Sequence, residues 1–295
     1  MKQKNFTAGL VQMQVSPDAK DNMKKAASMV KDAAKKGAQV ICLPELYRAQ
    51  YFCQKEDVEL FKLAEPVPGP STELFSEIAK RHKVAIIVPL FERRGPGVYH
   101  NSAAVIDKKG KVSGLYRKMH IPDDPAYYEK FYFAPGDLGF KSIETGYGKV
   151  GTLICWDQWY PEGARLTALT GAPVLFYPTA IGWHPYEKEQ YGVRQRDAWM
   201  TVQRGHAVAN GIYVAACNRT GFEKTVDTQA GIEFWGSSFI CDPQGVILAE
   251  APVDKETTLI AEIDLALLED IRLNWPFLRD RRIDAYGDIT KRFID

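Results

Sequence analysis

The sequence has a formal net charge of only +1 and no hydrophobic segment long enough to span a membrane. Its 295 residues contain 38 Lys and Arg against 37 Asp and Glu, without the concentrated basic footprint of a nucleic-acid or anionic-membrane binder. The longest apolar stretches, such as Val84 to Leu90, are far shorter than the roughly 20 residues of a membrane-spanning helix. We therefore expect no nucleic-acid and no membrane partner, and a small neutral or zwitterionic ligand remains open.

Cysteine is also sparse, and its spacing disfavours several classes of protein. The number is odd, and there is no Cys-x-x-Cys pair, zinc-site spacing or dense disulfide framework. The N-terminus has no long apolar segment of the secretory kind. We predict a cytoplasmic protein with no metal and no cofactor, and a thiol redox function is disfavoured. The cysteines are Cys42, Cys53, Cys155, Cys217 and Cys241.

Strand-like and helix-like segments alternate along most of the chain, which is typical of an α/β protein. Two β-α-β units are predicted, one near the N-terminus and one in the middle. No low-complexity linker and no fixed-period repeat divides the chain, so we predict a single domain over residues 1–295. The segments of the two units are Phe6 to Met13, Asn22 to Lys36 and Ala38 to Leu43, then Lys149 to Cys155, Pro161 to Thr170 and Pro173 to Tyr177.

Further segments indicate mixed rather than purely parallel sheets. Asn101 to Ile106 and Val112 to Tyr116 flank a turn sequence and predict an antiparallel hairpin. Ser71 has the chemistry of an N-cap for the amphipathic helix that follows it, and a long helix is predicted from Glu189 to Asn210. The tail over residues 273–295 is aromatic and rich in arginine.

Three reactive side chains follow predicted strands. Cys155 ends an apolar segment, Glu45 follows the buried strand that ends at Leu43, and Lys118 follows the second hairpin strand. Ligand sites in α/β sheets gather at the carboxyl ends of strands, and a helix N-terminus at Cys155 would favour the thiolate. Taken singly, each residue also has a simpler interpretation, as a packing thiol, a capping carboxylate or a solvated ammonium group. None of the five histidines has a context that marks it as a base.

Taken together, residues 43–46, 116–120 and 153–157 resemble the three signature segments of the nitrilase (carbon-nitrogen hydrolase) superfamily, in the family's order. The resemblance runs from Gln12 to about Asp264, and each segment includes the flanking residues as well as the catalytic one. It is strongest toward the N-carbamoylputrescine amidase branch, through Tyr51-Phe52-Cys53-Gln54, Cys155-Trp156-Asp157-Gln158-Trp159 and Tyr177-Pro178-Thr179-Ala180-Ile181-Gly182.

The resemblance implies an α-β-β-α sandwich of two mixed sheets with outer helices. Family members associate through helices and the C-terminal tail, so we expect a homodimer or larger homo-oligomer, with residues 273–295 packing across a subunit interface. Carried over to this sequence, the resemblance makes Glu45 the general base, Lys118 the oxyanion-stabilising cation and Cys155 the nucleophile. It also places Glu129 near the site.

The expected chemistry suits a ureido carbonyl, which is a poor electrophile because both of its nitrogens donate into it. Such a carbonyl needs a strong nucleophile and stabilisation of the developing oxyanion. Cys155 and Lys118 would supply these functions, and the backbone N–H of Trp156 is the candidate for a second oxyanion donor. Glu45 would serve both half-reactions, and Glu129 would orient Lys118 or the substrate amide.

The substrate expected from the resemblance is N-carbamoylputrescine, which gives putrescine, carbon dioxide and ammonia. N-Carbamoyl amino acids, with a D-amino acid or β-alanine, and other aliphatic amides are the alternatives, and a non-catalytic binding relative is a further class. A carboxylate ligand would favour arginine after the Cys segment, where this chain has Gln158 and Trp159. An arginine of the predicted long helix that faced the pocket would revive the acid alternative; these are Arg194, Arg196 and Arg204.

An amine substrate would need an aromatic tunnel closed by a carboxylate. The sequence offers several residues of each kind, without deciding among them. The aromatic candidates are Tyr51, Trp156, Trp183 and Trp235, and the acidic ones are Asp157, Glu187, Glu189 and Glu233.

Overall fold

Apolar segments form the central strands of two large sheets in the computed structural model, which describes residues 5–224 and 231–294. The ends of the predicted domain, Met1 and Asp295, lie outside the described residues. The strands are β1 Phe6–Gln12, β2 Val40–Cys42, β3 Ala85–Gly95, β4 Val98–Ile106, β5 Val112–Arg117, β6 Asp123–Asp124, β7 Tyr127–Tyr128, β8 Ser142–Glu144, β9 Lys149–Thr152, β10 Val174–Thr179, β11 Gly182–Trp183, β12 Tyr213–Asn218, β13 Thr220–Lys224, β14 Gly231–Trp235, β15 Phe239–Cys241, β16 Ile247–Glu250 and β17 Thr257–Ile263. The helices are α1 Ala19–Lys35, α2 Pro70–His82, α3 Glu129–Tyr132, α4 Pro161–Leu169, α5 Lys188–Asn210 and α6 Leu265–Asn274.

Each large sheet mixes parallel with antiparallel pairing. The first follows the order β17-β1-β2-β3-β4-β5, in which β1, β2 and β3 are parallel and the outer strands antiparallel. The second follows β16-β15-β12-β10-β9-β8, in which β9, β10 and β12 are parallel. The predicted hairpin of β4 and β5 is confirmed. None of the helices in the described ranges is long and apolar enough to cross a membrane.

The alternation of side chains along the strands explains why both faces of each sheet are apolar. Val40 and Cys42 of β2 pack into the core between the sheets, whereas Ile41 and Leu43 pack with α1 and α2 on the outer face. Helices α4 and α5 cover the second sheet. The layers therefore run α-β-β-α, and the predicted sandwich fold is confirmed.

Some boundaries differ from the prediction because local contacts decide them. Helix α2 begins at Pro70 with Gly69 as its N-cap, so the assignment of Ser71 as N-cap is wrong. Proline is favoured at the first helical position because its missing N–H would have no helical partner there. Ser71 lies within the first turn, and its hydroxyl donates to Glu65. The sequence pattern does not reveal helix α6 or the antiparallel pair of β13 and β14.

The carboxyl ends of strands from both sheets meet at one end of the sandwich. Glu45 follows β2 and Lys118 follows β5 in the first sheet, while Cys155 follows β9 and Arg219 follows β12 in the second. Contacts between these segments, such as the bond from Arg219 to the backbone of Glu45, join the two sheets at this end. The fold therefore brings four charged or reactive side chains to one place.

Candidate active site

The side chain of Lys118 joins two glutamates in a fully buried cluster. Its Nζ donates to Oε1 of Glu45 at 2.9 Å and to Oε2 of Glu129 at 2.6 Å. Asn101 adds a third connection, because its Nδ2 donates to the same Glu45 oxygen at 2.7 Å. The other oxygen of Glu45, Oε2, is buried and has no hydrogen-bond partner within the described residues. This oxygen is therefore available to accept a proton.

The charges of the cluster set the protonation state of its members. Burial alone would lower the pKa of Lys118, but Glu129 and Glu45 together outweigh it and hold that pKa well above its usual range. Burial raises the pKa of Glu129, and the charge of Lys118 opposes this rise. Lys118 is therefore a fixed cation at neutral pH and is suited to stabilising negative charge rather than to transferring protons.

Cys155 lies where the chain turns sharply out of the second sheet. Strand β9 ends at Thr152, earlier than predicted, and a short 3-10 helix begins at Cys155 with a φ of 43°. A residue with a side chain in this left-handed region costs on the order of 1–3 kcal/mol, so neighbouring contacts must hold the turn. The thiol donates to the carbonyl oxygen of Ala180 at 3.8 Å.

The thiol of Cys155 is protonated in the resting protein. Burial raises its pKa well above the usual range, the charge of Glu45 adds to the rise, and Lys118 opposes it. Burial thus favours the neutral thiol, whereas the sequence predicts that a helix N-terminus favours the thiolate. Reaction at neutral pH therefore needs a base, and Glu45 has a buried oxygen without a partner.

The backbone of Lys118 is fixed on both sides. Its N–H donates to the carbonyl oxygen of Asn101 at 2.8 Å, and its own carbonyl accepts from the N–H of Gly136 at 2.8 Å. Position 136 has room only for glycine, because a Cβ there would lie 2.1 Å from the carbonyl oxygen of Arg117. These contacts hold the lysine in place from its backbone outward.

Asp157 has a different place from the substrate contact expected of it. Its buried Oδ2 accepts from the hydroxyl of Tyr116 at 2.8 Å and from the N–H of Ile154 at 2.9 Å. Its Oδ1 accepts from the N–H of His120 at 2.9 Å and lies 2.7 Å from Nδ1 of the same residue. The carboxylate thus ties the turn of Cys155 to the segment after β5, and we correct its assignment accordingly.

A cavity of about 460 Å³ opens above Cys155 and Glu129. Two of the expected substrate contacts, Trp156 and Glu187, line it, and so does the aromatic candidate Trp235. Further aromatic side chains in the lining are Tyr127, Trp159, His184 and Tyr186.

Tyr51 and Trp183 lie behind the cavity instead of lining it. The hydroxyl of Tyr51 donates to Oε1 of Glu129 at 2.7 Å, and burial raises its pKa well above the usual range, so it stays a donor. The indole Nε1 of Trp183 donates to the carbonyl oxygen of Gly192 at 2.9 Å, and its ring packs against Trp235. Both were expected in the substrate tunnel, and both instead support residues that face it.

The acidic candidates are separated by their positions. Glu187 lines the cavity and accepts a hydrogen bond from Gln195 at 3.1 Å. Glu189 is exposed outside the lining, and Glu233 pairs with Lys188 at 2.7 Å. The lining also contains Glu129 and Asp124 of β6, and Asp124 was not among the candidates.

No arginine or lysine occurs among the described residues that line the cavity. Arg196 instead donates to Ser237 and pairs with Glu250, and Arg204 donates to the backbone of the β15-β16 hairpin. Arg194 is exposed on the surface of α5. The anchor that a carboxylate ligand would favour is therefore absent from the described lining.

Sequence reasoning misses Asn101, Arg219 and Glu223. Arg219 follows the carboxyl end of β12, the same topological position that points to Glu45 and Cys155, so that rule could have identified it. No local pattern indicates that the amide of Asn101 on β4 reaches Glu45, which follows β2, two strands away in the first sheet.

The fold and the site define a class of hydrolase. A buried thiol lines the cavity together with Glu129, whose carboxylate bonds a fixed ammonium group. That ammonium group also bonds a second carboxylate with a free oxygen, and the arrangement suits attack on an amide carbonyl. The family model described as carbon-nitrogen hydrolase matches residues 7–273. The chain belongs to the carbon-nitrogen hydrolase family and is an amidohydrolase, which confirms the predicted membership.

Individual relatives resemble the chain over nearly its whole length. An N-carbamoylputrescine amidase of Solanum lycopersicum is 44% identical over 97% of this chain and 96% of its own. A citrullinase of Francisella tularensis is 41% identical over 98% of this chain and 99% of its own. A crystal structure of a carbon-nitrogen hydrolase from Helicobacter pylori G27 superposes with a TM-score of 0.95 at 47% identity, covering 99% of this chain and 100% of that one.

Proposed function

We propose that this protein hydrolyses N-carbamoylputrescine to putrescine, carbon dioxide and ammonia. The observation that carries the proposal is the cavity above Cys155, which has aromatic walls and a lining with Asp124 and Glu187 but without arginine or lysine among its described residues. The substrate presents a ureido group, a four-carbon chain and an ammonium group, which suit the thiol, the aromatic wall and the carboxylates in turn.

In the first half-reaction, Glu45 accepts the proton of the Cys155 thiol as the sulfur attacks the ureido carbon. Negative charge then develops on the carbonyl oxygen, where Lys118 and the N–H of Trp156 stabilise it. Trp156 lies in the first turn of the 3-10 helix, so its N–H has no acceptor within that helix. The C–N bond then breaks, Glu45 gives its proton to the leaving nitrogen, and the carbamoyl group remains on sulfur.

In the second half-reaction, water replaces the amine as the partner of Glu45. The carboxylate accepts a proton from water as the water oxygen attacks the carbamoyl carbon. The C–S bond then breaks, and Glu45 returns that proton to the sulfur of Cys155. The carbamic acid that leaves decomposes to carbon dioxide and ammonia. One carboxylate thus serves both halves, and Glu129 keeps Lys118 in place throughout.

Citrulline is a second candidate substrate, because a relative of 41% identity is a citrullinase. It has the same ureido group and a distal ammonium group, with an added carboxylate on the carbon that carries the ammonium. A carboxylate is best held by the two-pronged guanidinium group of arginine, which the described lining lacks. The same argument applies to N-carbamoyl amino acids, so we favour the amine.

The proposal is tested by hydrolysis of four substrates side by side: N-carbamoylputrescine, citrulline, N-carbamoyl-β-alanine and an N-carbamoyl-D-amino acid. We expect the highest kcat/KM for N-carbamoylputrescine, and no product from Cys155→Ser, which loses the nucleophilic thiol. A higher kcat/KM for any of the acids would refute the amine assignment.

Substitutions of two carboxylates in the cavity lining sharpen this experiment. Asp124→Asn and Glu187→Gln should raise KM for N-carbamoylputrescine about tenfold with little change in kcat, because the ammonium group is remote from the reacting carbon. The matched control is Glu189→Gln, which removes an exposed carboxylate of α5 outside the lining. Unchanged KM in both lining variants would exclude these carboxylates as partners of the ammonium group.

We also propose a homodimer or larger homo-oligomer that forms through α4, α5 and the tail. Leu166 of α4 and Tyr286 of the tail line one groove of about 530 Å³ together with His206 and Asn210. Nε2 of His206 and Oδ1 of Asn210 are buried there without a hydrogen-bond partner in the described residues. The tail also carries exposed apolar side chains, such as Phe293, which is 80% exposed. Exposed apolar surface is typical of an interface.

We further propose the cytoplasm as the location. All five cysteines are free thiols that are buried from solvent. Proteins of oxidising compartments more often pair such residues in disulfides.

A further inference from the structure

We propose that Arg219 and Glu223 are positioning residues that hold the Glu45 segment in the geometry the reaction needs. The inference rests on the catalytic roles proposed above for Glu45, Lys118 and Cys155. Neither Arg219 nor Glu223 is among the described residues that line the cavity, so each acts through other side chains and not on the substrate.

The guanidinium group of Arg219 bridges the two ends of the turn that carries Glu45. Its Nη2 donates to the backbone carbonyl oxygen of Glu45 at 2.6 Å, and its Nη1 donates to the carbonyl oxygen of Ala49 at 3.3 Å. Leu46, within the same turn, has a φ of 49°, which is unfavourable for a residue with a branched side chain. The turn therefore needs contacts from outside itself, and Arg219 provides them.

Glu223 closes these contacts into a ring. Its Oε1 accepts from Nη1 of Arg219 at 2.7 Å, and its Oε2 accepts from the N–H of Tyr51 at 2.6 Å. The hydroxyl of Tyr51 then bonds Glu129, which shares Lys118 with Glu45. We call this set the buried ring; its members are Arg219, Glu45, Lys118, Glu129, Tyr51 and Glu223, each at most 1% exposed.

The buried ring connects Arg219, at the carboxyl end of β12, to the carboxylate of Glu45. Without the guanidinium group, the carbonyl oxygen of Glu45 and one oxygen of Glu223 lose their donor in a site that water does not reach. The charge of Arg219 also opposes the rise in the pKa of Glu223 that burial causes. The turn would then relax, and a displacement of about 1 Å at a catalytic group lowers the rate about 100-fold.

The test compares Arg219→Lys with Arg48→Lys. Arg48 belongs to the same turn but faces Glu65, at 3.4 Å, outside the buried ring, so it is a matched control. We expect Arg219→Lys to lower kcat for N-carbamoylputrescine about 10- to 100-fold with KM within about threefold, and Arg48→Lys to change neither. Equal losses in the two variants, or an unchanged kcat in Arg219→Lys, would overturn the proposal.

Alkylation of Cys155 by iodoacetamide, followed by mass spectrometry, gives a readout that is independent of the substrate. In the unmodified enzyme Glu45 can take the thiol proton, so the reaction should proceed at neutral pH. In Arg219→Lys the rate should rise only at higher pH, where hydroxide replaces the displaced base. An unchanged pH profile with a lower melting temperature would show a merely structural role and overturn the proposal. Failure of the proposed substrate would leave this assay intact.

A pair of tyrosines keeps the proposal testable if Arg219→Lys does not fold. Tyr51→Phe removes one hydroxyl from the buried ring, whereas Tyr47→Phe removes the hydroxyl of an equally buried tyrosine that bonds Ser71 at 2.9 Å. We expect kcat to fall about fivefold or more in Tyr51→Phe and to stay unchanged in Tyr47→Phe. Equal kcat values in the two variants would contradict the inference.

Discussion

Among single residues, Lys118 shows how a charge can be kept in the interior. It has no contact with solvent, yet its ammonium group lies within hydrogen-bond distance of both Glu45 and Glu129. Desolvation of one ion is costly, and opposite charges with satisfied hydrogen bonds offset it. The same carboxylates that stabilise the lysine fix it as a cation, so electrostatic stability and the proposed oxyanion chemistry have one cause.

This balance predicts that Lys118→Met abolishes hydrolysis and lowers the thermal midpoint more at pH 7.5 than at pH 5. Removal of the cation leaves two buried carboxylates, a loss of about 3–5 kcal/mol at neutral pH. Burial already raises the pKa of Glu129, and loss of Lys118 raises it further. In the unfolded chain the pKa of a glutamate is about 4.3, below the raised pKa of Glu129 in the folded variant. As the pH rises above about 4.3, the glutamate ionises in the unfolded chain before it does so in the folded one, and the variant loses stability.

The control for this prediction is Lys36→Met, which breaks an exposed pair with Asp32. Exposed pairs contribute about 0–1 kcal/mol, so the midpoint should stay nearly unchanged at both pH values. Thermal unfolding followed by circular dichroism measures all three proteins. A loss in Lys118→Met of equal size at pH 5 and pH 7.5 would contradict the electrostatic explanation.

Local sequence indicates some candidate site residues but not others, because the others depend on contacts between distant parts of the chain. Glu45, Lys118 and Cys155 are visible because each follows a strand end within a local motif. Arg219 reaches the backbone of Glu45 across 174 positions of the chain, and Asn101 reaches its side chain across 56. Such contacts depend on how the sheets pack, which local sequence does not record.

At the scale of elements, the 3-10 helix that starts at Cys155 is held by one carboxylate. The N–H of Ile154 donates to Oδ2 of Asp157 instead of to a neighbouring strand. This explains why β9 ends before Cys155, the end predicted from the sequence. The same carboxylate bonds Tyr116 of β5 and the backbone of His120. The elements that carry Cys155 and Lys118 are therefore joined through this one carboxylate.

Asp157→Asn should lower kcat about tenfold or more, because the amide cannot accept all the bonds that Asp157 receives and a charge-assisted bond of about 1.5–3 kcal/mol is lost. The control is Asp242→Asn, since Asp242 accepts two backbone bonds in the β15-β16 turn far along the chain. Steady-state kinetics of both variants check the prediction. A full kcat in Asp157→Asn would show that the link does not serve the reaction.

Element boundaries were predictable where the ends carry their own signals. Helix α5 was expected from Glu189 to Asn210 and runs over Lys188–Asn210, because Gly211 ends it in the left-handed conformation. Strand β9 has no comparable stop signal, since the residue that ends it, Asp157, lies beyond the strand itself. Tertiary contacts therefore decide that boundary.

For the molecule as a whole, the tail and the outer helices carry apolar surface that the described residues leave exposed. Trp275 and Ile289 are 57% and 64% exposed, and the groove that the tail shares with α4 contains buried polar atoms without partners. A second copy of the chain could cover both. The sequence indicated an interface here only through the family resemblance, because an aromatic tail packs equally well on its own core.

Leu166→Asp should weaken the proposed association, because it places a charge in the groove lined by α4 and the tail. The matched control is Val58→Asp, which changes an exposed apolar residue outside this groove. Sedimentation velocity over a range of protein concentrations measures the change in mass. A monomeric unmodified protein, or equal sedimentation of both variants and the parent, would contradict the proposed interface.

The division of the site between two sheets has a consequence for the hydrophobic core. The proposed base Glu45 and Lys118 follow strands of the first sheet, and the proposed nucleophile Cys155 follows a strand of the second. Their spacing therefore depends on side chains such as Leu10 and Val214, which pack in the core between the sheets. Under the proposed mechanism, the thickness of the hydrophobic layer between the sheets, away from the cavity, thus affects the reaction rate. Evolution of turnover in this chain can therefore proceed through methyl groups that never meet the substrate.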